Sequence, residues 1–179
     1  MKKFILIIIL FLISIFVYVN VNASVDEIII PDLAIRVRVI ANSNSLYDQK
    51  MKMKVKEYIE KSISSKLVDV NDIEIARDII SSEIGNLDEN IKDIFQKNDY
   101  DKGYVIHFGD NYFPSKEYKG VYYDSGNYES LVVTIGEGNG DNWWCVLFPP
   151  LCLLEADDSD TSDVEYQFFV KKMIDKIFS

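Results

Sequence analysis

An α+β domain, with a mainly antiparallel sheet, two central helices packed on one face and a C-terminal helix, is the fold class that this sequence predicts. Three observations lead there. Apolar residues alternate with period two near Leu33 and again beyond Gly103. Between those regions they recur every three or four residues along two long stretches. The order is β, α, α, several β, then α, not the strict β–α alternation of a parallel fold.

From Leu33 to Ala41, Ile35, Val37 and Val39 share one face and Arg36 and Arg38 the other, which predicts a half-buried strand. Asn42-Ser43-Asn44-Ser45 breaks that strand and offers an N-cap. A helix is expected from Leu46 to about Leu67, with Met51, Val55, Tyr58, Ile59 and Ile63 inward. Lys50, Lys52, Lys54, Lys56 and Lys61 lie elsewhere on it, as a solvated face or as a contact surface for an acidic partner. Asn71 followed by Glu74 resembles a capping box for a second helix, reaching about Gln96. Its stripe is Ile73, Ala76, Ile80, Ile84, Leu87, Ile91 and Ile94, and Gly85 is expected to weaken or bend it. Strands are expected at Tyr104–Phe108, Lys116–Tyr123, Tyr128–Ile135 and Trp143–Leu147, joined as antiparallel hairpins. Glu155 to Asp163 reads as an acidic linker. Val164 to Phe178 reads as mostly helix, with a strand start open at Val164 to Val170.

The first residues have a different character. Met1-Lys2-Lys3 is positive and Phe4 to Val19 carries no charge, the pattern of a secretory signal. Val21-Asn22-Ala23 suits cleavage after Ala23, while an uncleaved signal anchor fits the same run. The expected organisation is residues 1–23 as signal peptide or signal anchor, 24–32 as spacer and 33–179 as a single domain. The leader holds two of the 19 bases and no acid, so the remainder carries 17 bases against 29 acids, a net of −12. Such a surface repels nucleic acid and anionic headgroups. No nucleic-acid partner is therefore expected, and membrane contact is expected only through residues 1–23 if they are retained.

Few residues suggest chemistry. A Ser-His-Asp or Cys-His pair needs a placed imidazole, and the single His107 sits mid-strand. No Gly-x-Ser-x-Gly elbow is present. Gly136-Glu137-Gly138-Asn139-Gly140 is glycine-rich but acidic, with no helix after it, and reads as a hairpin turn, not a phosphate loop. Asp157 to Asp163 matches a calcium loop in composition only. Two Cys and one His are too few for a zinc site. We expect no catalytic, cofactor or metal residues. The spacing of the many carboxylates favours no pair for a cell-wall or glycan hydrolase, which stays as the alternative class beside a structural envelope domain.

The densest segment is Asn142-Trp143-Trp144-Cys145-Val146-Leu147-Phe148-Pro149-Pro150-Leu151-Cys152. In a strand, Trp143 and Trp144 point to opposite faces, so one enters the core and the other meets a neighbouring element or an interface. Trp143, Trp144, Phe148, Pro149 and Pro150 are the candidate partner-binding residues. Cys145 and Cys152 form a candidate disulfide outside the cytoplasm, or two buried thiols. The stretch from Gly136 to Cys152 closely resembles the stage II sporulation protein R family, as do Ile35-Arg36-Val37-Arg38-Val39-Ile40-Ala41-Asn42-Ser43 and Tyr112-Phe113-Pro114-Ser115-Lys116. The resemblance covers about Leu33 to Phe178. It implies a protein made in the forespore and exported into the space between the two membranes. There such a protein activates a membrane-embedded aspartic protease of the mother cell through its extracytoplasmic part. That protease then processes a pro-sigma factor. The resemblance implies an activator and not an enzyme.

Overall fold

The computed structural model describes residues 33–118, 121–152 and 163–178, together with Phe11 and Ser14, which are helical. The rest of the leader, the spacer before Leu33 and most of the acidic linker lie outside the described residues. Among the described residues, no helix is long and apolar enough to cross a membrane.

The alternating stretch is extended over Ile35–Ile40 as β1. Helix α1, Leu46–Ser62, begins where Ser45 accepts a hydrogen bond from the Asp48 N–H, as an N-cap should. It ends earlier than expected, and Ser64–Leu67 continues as a single 3-10 turn. Helix α2, Ile73–Lys97, is capped by Asp72 and not by Asn71: its carboxylate accepts from the N–H groups of Glu74 and Ile75. The helix runs unbroken through Gly85, and a β-carbon there would meet nothing within 4 Å. Gly85→Ala is therefore expected to stabilise the fold by about 0.5–1 kcal/mol through lower backbone entropy in the unfolded chain. A denaturant midpoint that moves up at constant slope checks this.

The β-rich half comprises β2 (Tyr104–Phe113), β3 (Lys116–Tyr118), β4 (Val121–Tyr123), β5 (Gly126–Ile135) and β6 (Asn142–Phe148). The segment expected as one strand from Lys116 to Tyr123 is instead the small β3–β4 hairpin. The four-stranded sheet has the order β2-β5-β1-β6. β2 pairs with β5, and β6 with β1, antiparallel; β1 and β5 run parallel. The fold is thus α+β with a mainly antiparallel sheet, as expected. The expected hairpin between β5 and β6 does not form, because β1 lies between them. The last helix, α3 (Asp163–Phe178), is helical across Val164–Val170, where a strand start had been open.

Helices α1 and α2 cover one face. Met51, Val55, Ile59 and Ile63 from α1 and Ala76, Ile80, Leu87 and Ile91 from α2 are buried against Val37, Val39, Val133 and Leu147 of the sheet. Each of the Met, Val, Ile and Leu side chains contributes about 1.5–3 kcal/mol on burial, so this layer is the main source of stability. Arg77 fastens α2 to the sheet by donating Nε–H to Glu129 at 2.8 Å. The second face is smaller. Val170 of α3 packs there with Ala34, Tyr123, Val146 and Leu151.

Candidate functional site

The register decides which residues share a face, because paired residues in neighbouring strands point the same way. Val37 pairs with Cys145 and Val39 with Trp143, so both face the helices. Arg38 pairs with Trp144 and Arg36 with Val146, so these point to the opposite face. The two tryptophans divide as alternation requires. Trp143 is half-buried against the main core, with Lys56 Nζ 5.5 Å from its ring. Trp144 meets Tyr123 edge-on at 4.8 Å and Phe113 at 6.1 Å, with Lys116 Nζ 5.0 Å from its ring.

On that second face, cations and aromatic rings alternate. Arg36 is fully buried, its guanidinium carbon 3.3 Å from the centre of the Tyr128 ring and 5.4 Å from that of Phe113. Arg38 lies one pleat further along the strand, 5.0 Å from Phe113. Such stacking suits guanidinium, which is planar and weakly hydrated. Burial lowers the Arg38 pKa from its ordinary value, the sign expected for a desolvated cation, and guanidinium remains charged all the same. Arg38 opens into a cavity of about 170 Å³ walled by Phe113, Pro114, Lys116, Asn142 and Trp144. These residues belong to three separate stretches of chain: β1, the end of β2 through the start of β3, and β6.

Phe148, Pro149 and Pro150 are buried, and Phe148 is wholly inaccessible. They close the end of β6 and present little surface. Cys145 and Cys152 are also buried, and both sulfurs lie against the Val146 carbonyl oxygen, at 3.7 and 3.0 Å. His107 is exposed on β2, beside Asn111, and pairs with Val132, so it occupies the face opposite Cys145. The register therefore separates imidazole from thiol. Among the described residues, no group of three or more His, Cys, Asp or Glu is arranged to hold a metal ion.

The glycine-rich segment has a structural task. It lies across the end of β1 and the start of α1. Gly140 donates its N–H to the Ala41 carbonyl at 2.9 Å, Asn139 to the Asn42 carbonyl at 3.1 Å, and Glu137 to Asn42 Oδ1 at 3.0 Å. Lys52, buried under the same loop, donates to the Asp141 carbonyl at 3.1 Å. Its burial lowers its pKa, while the nearby Asp141 charge acts the other way. Lys56 pairs with Glu60 at 2.6 Å. Two of the five lysines expected on a solvated or contact face are thus committed to internal contacts.

The segments that resemble a known family are now accounted for in space: two of them interlock around the start of α1, and all three meet at the cavity. The stage II sporulation protein R family model matches residues 31–158. The chain belongs to the stage II sporulation protein R family. It is 36% identical to stage II sporulation protein R of Bacillus subtilis (strain 168) over 151 residues, which is 84% of this chain and 67% of that protein. No solved structure matches. Family membership makes this a sporulation protein. Sequence reading overlooked Arg38, Phe113 and Lys116 as residues that line a cavity. The alternation Arg36-Val37-Arg38 was the available signal, since two arginines on the non-core side of a central strand need aromatic or anionic company.

Proposed function

We propose that this chain is an exported sporulation signal. In this reading it crosses the forespore membrane by means of residues 1–23 and acts as the single domain 33–179 in the intermembrane space. There it activates a membrane-embedded aspartic protease of the mother cell, which processes a pro-sigma factor. The observation that carries the reading is the family match over residues 31–158. The cationic and aromatic second face, with Arg38, Lys116 and Trp144, supports a role in recognition.

Energetics limit how such an activator works. A ligand shifts a receptor only by binding one state better than the other. Moving a protease from about 1:99 to 99:1 requires about 5.5 kcal/mol of differential binding. One exposed ion pair supplies about 0–1 kcal/mol. The contact must therefore desolvate aromatic and charged side chains together, as binding hot spots do. The second face offers that combination; the α1 lysines offer mainly exposed charge.

Export would also place Cys145 and Cys152 where a pair can oxidise, with two electrons and two protons passing to a protein or small-molecule disulfide. Alkylation of the denatured chain with and without prior reductant tests that closure.

The functional test is co-expression with the cognate protease and its pro-sigma substrate. Processing is expected with the whole chain. It should be lost, or fall by more than about tenfold, when residues 1–23 are deleted, because the deletion strands the domain on the wrong side of the membrane. Processing that proceeds equally without the chain overturns the reading.

A further inference from the structure

The cavity beside Trp144 has features of a recognition pocket for one chemical group. Its floor is the Arg38 guanidinium, stacked on Phe113. Among the described residues Arg38 forms no ion pair, and its Nε–H, though buried, has no hydrogen-bond partner. Its cross-strand neighbours are Val132 and Trp144, neither of them acidic. Lys116 stands at the rim, above the Trp144 ring. Asn142 and Ser115 supply polar groups, and Pro114 completes an apolar wall. Among the described residues, no carboxylate lines the cavity, although the chain holds 29 acids against 19 bases. Asp141, next in sequence, is engaged elsewhere: its N–H and its carboxylate both meet the Asn44 side chain.

We propose that this pocket receives a carboxylate side chain from an acidic segment in the extracytoplasmic part of the partner protease. The assignment rests on the reading of the chain as that protease's activator. Arg38 offers a planar fork of N–H donors that matches a carboxylate, and Lys116 adds positive charge beside the Trp144 ring. Trp144, Phe113 and Pro114 exclude water and suit the apolar stem of the incoming residue. The size admits one side chain. A polyanion is disfavoured, because the surrounding acidic surface repels nucleic acid and anionic lipid while a lone carboxylate reaches past it. An acidic protein carrying a small cationic pocket thus gains selectivity from both signs of charge.

The test titrates full-length chain in cells that co-express the protease and the pro-sigma factor, and reads the chain level needed for half-maximal processing. Arg38→Gln is expected to raise that level at least about tenfold, the effect of truncating one partner of a desolvated charge pair. Lys116→Gln, at an exposed position, is expected to raise it about threefold. Lys97→Gln, on the far side of the molecule in the α1–α2 groove, should leave it unchanged. Arg38→Glu should regain function with a protease in which one extracytoplasmic Asp or Glu becomes Lys, a rescue that a merely structural arginine would not show. If Arg38→Gln fails to accumulate, Lys116→Gln at its exposed position decides. Unchanged titrations for both Gln variants, at normal chain levels, would remove the pocket assignment and leave the activator reading intact. Loss of a cross-linked homodimer in Arg38→Gln would reassign the pocket to a second copy of this chain and overturn the proposal. Failure of the wild-type chain to drive processing would overturn both.

Discussion

Gly140→Ala is expected to destabilise the domain by about 3 kcal/mol, lowering its melting temperature by about 6–12 °C. A β-carbon at Gly140 would stand 2.5 Å from the Ser43 carbonyl carbon and closer still to its oxygen. Those are backbone atoms, so no rotamer relieves the clash. Either the 136–141 loop lifts or the start of α1 moves. Lifting the loop breaks the Gly140–Ala41 and Asn139–Asn42 hydrogen bonds, each worth about 1 kcal/mol. It also strips Lys52 of its Asp141 carbonyl acceptor. Gly136 is constrained differently. It sits at φ 55°, and a β-carbon there would press on Asn42, 2.8 Å from Cγ. Thermal unfolding of Gly140→Ala beside Gly85→Ala checks the argument, because the two alanines should shift the midpoint in opposite directions. A Gly140→Ala midpoint within 2 °C of wild type (less than about 1 kcal/mol) would mean that the loop does not clasp β1 as described.

That clasp also shows where sequence reading stops. Period two in Ile35-Arg36-Val37-Arg38-Val39 and period three to four in Met51, Val55 and Ile59 are local signals, and both elements formed where expected. The strand order is not local. β5 and β6 are joined by a short glycine-rich turn and read naturally as a hairpin, yet β1 inserts between them. The parallel pairing of Arg36–Ile40 with Ser130–Thr134 spans about half the chain, and no neighbouring residue announces it. The N-cap error at Asn71 has a smaller cause. Asn71 and Asp72 are both good caps, and only the extended backbone of Asp72, with φ −125° and ψ 130°, aims its carboxylate at the next N–H groups. The Trp-Trp pair was legible as one residue in and one out. Which ring faced which way, and that Arg38, Phe113 and Lys116 would gather around Trp144, required the register.

Asp48→Asn is expected to cost about 3 kcal/mol at neutral pH and to reduce the acid dependence of stability. Asp48 is the N3 residue of α1 and is only 6% exposed. Burial alone would raise its pKa, but hydrogen bonds from Ser43, Tyr100, Asn42 and Ser45 outweigh that and hold it at about 2, against an ordinary 3.8. Tyr100 donates at 2.6 Å and Asn42 at 2.9 Å, with Ser43 closer still. The carboxylate thus ties the end of β1, the start of α1 and the segment after α2 into one network. Asparagine keeps the shape but turns an acceptor into an amide that faces donors, which leaves buried groups unsatisfied. The sign of the pH effect follows from the lowered pKa: the stabilisation is complete above the unfolded-state value and is lost as pH falls from about 5 toward 2. Its size is about 2 kcal/mol, taking about 1.4 kcal/mol for each unit of pKa. Glu83, held down by its hydrogen bond from Lys66, and Asp88, held down by Lys92, give the variant a residual acid slope. Chemical denaturation of wild type and Asp48→Asn at neutral pH and near pH 3 separates the parts, since the gap between them should narrow as the pH falls. A gap of constant width would show that the carboxylate's charge contributes nothing and that shape alone explains the loss.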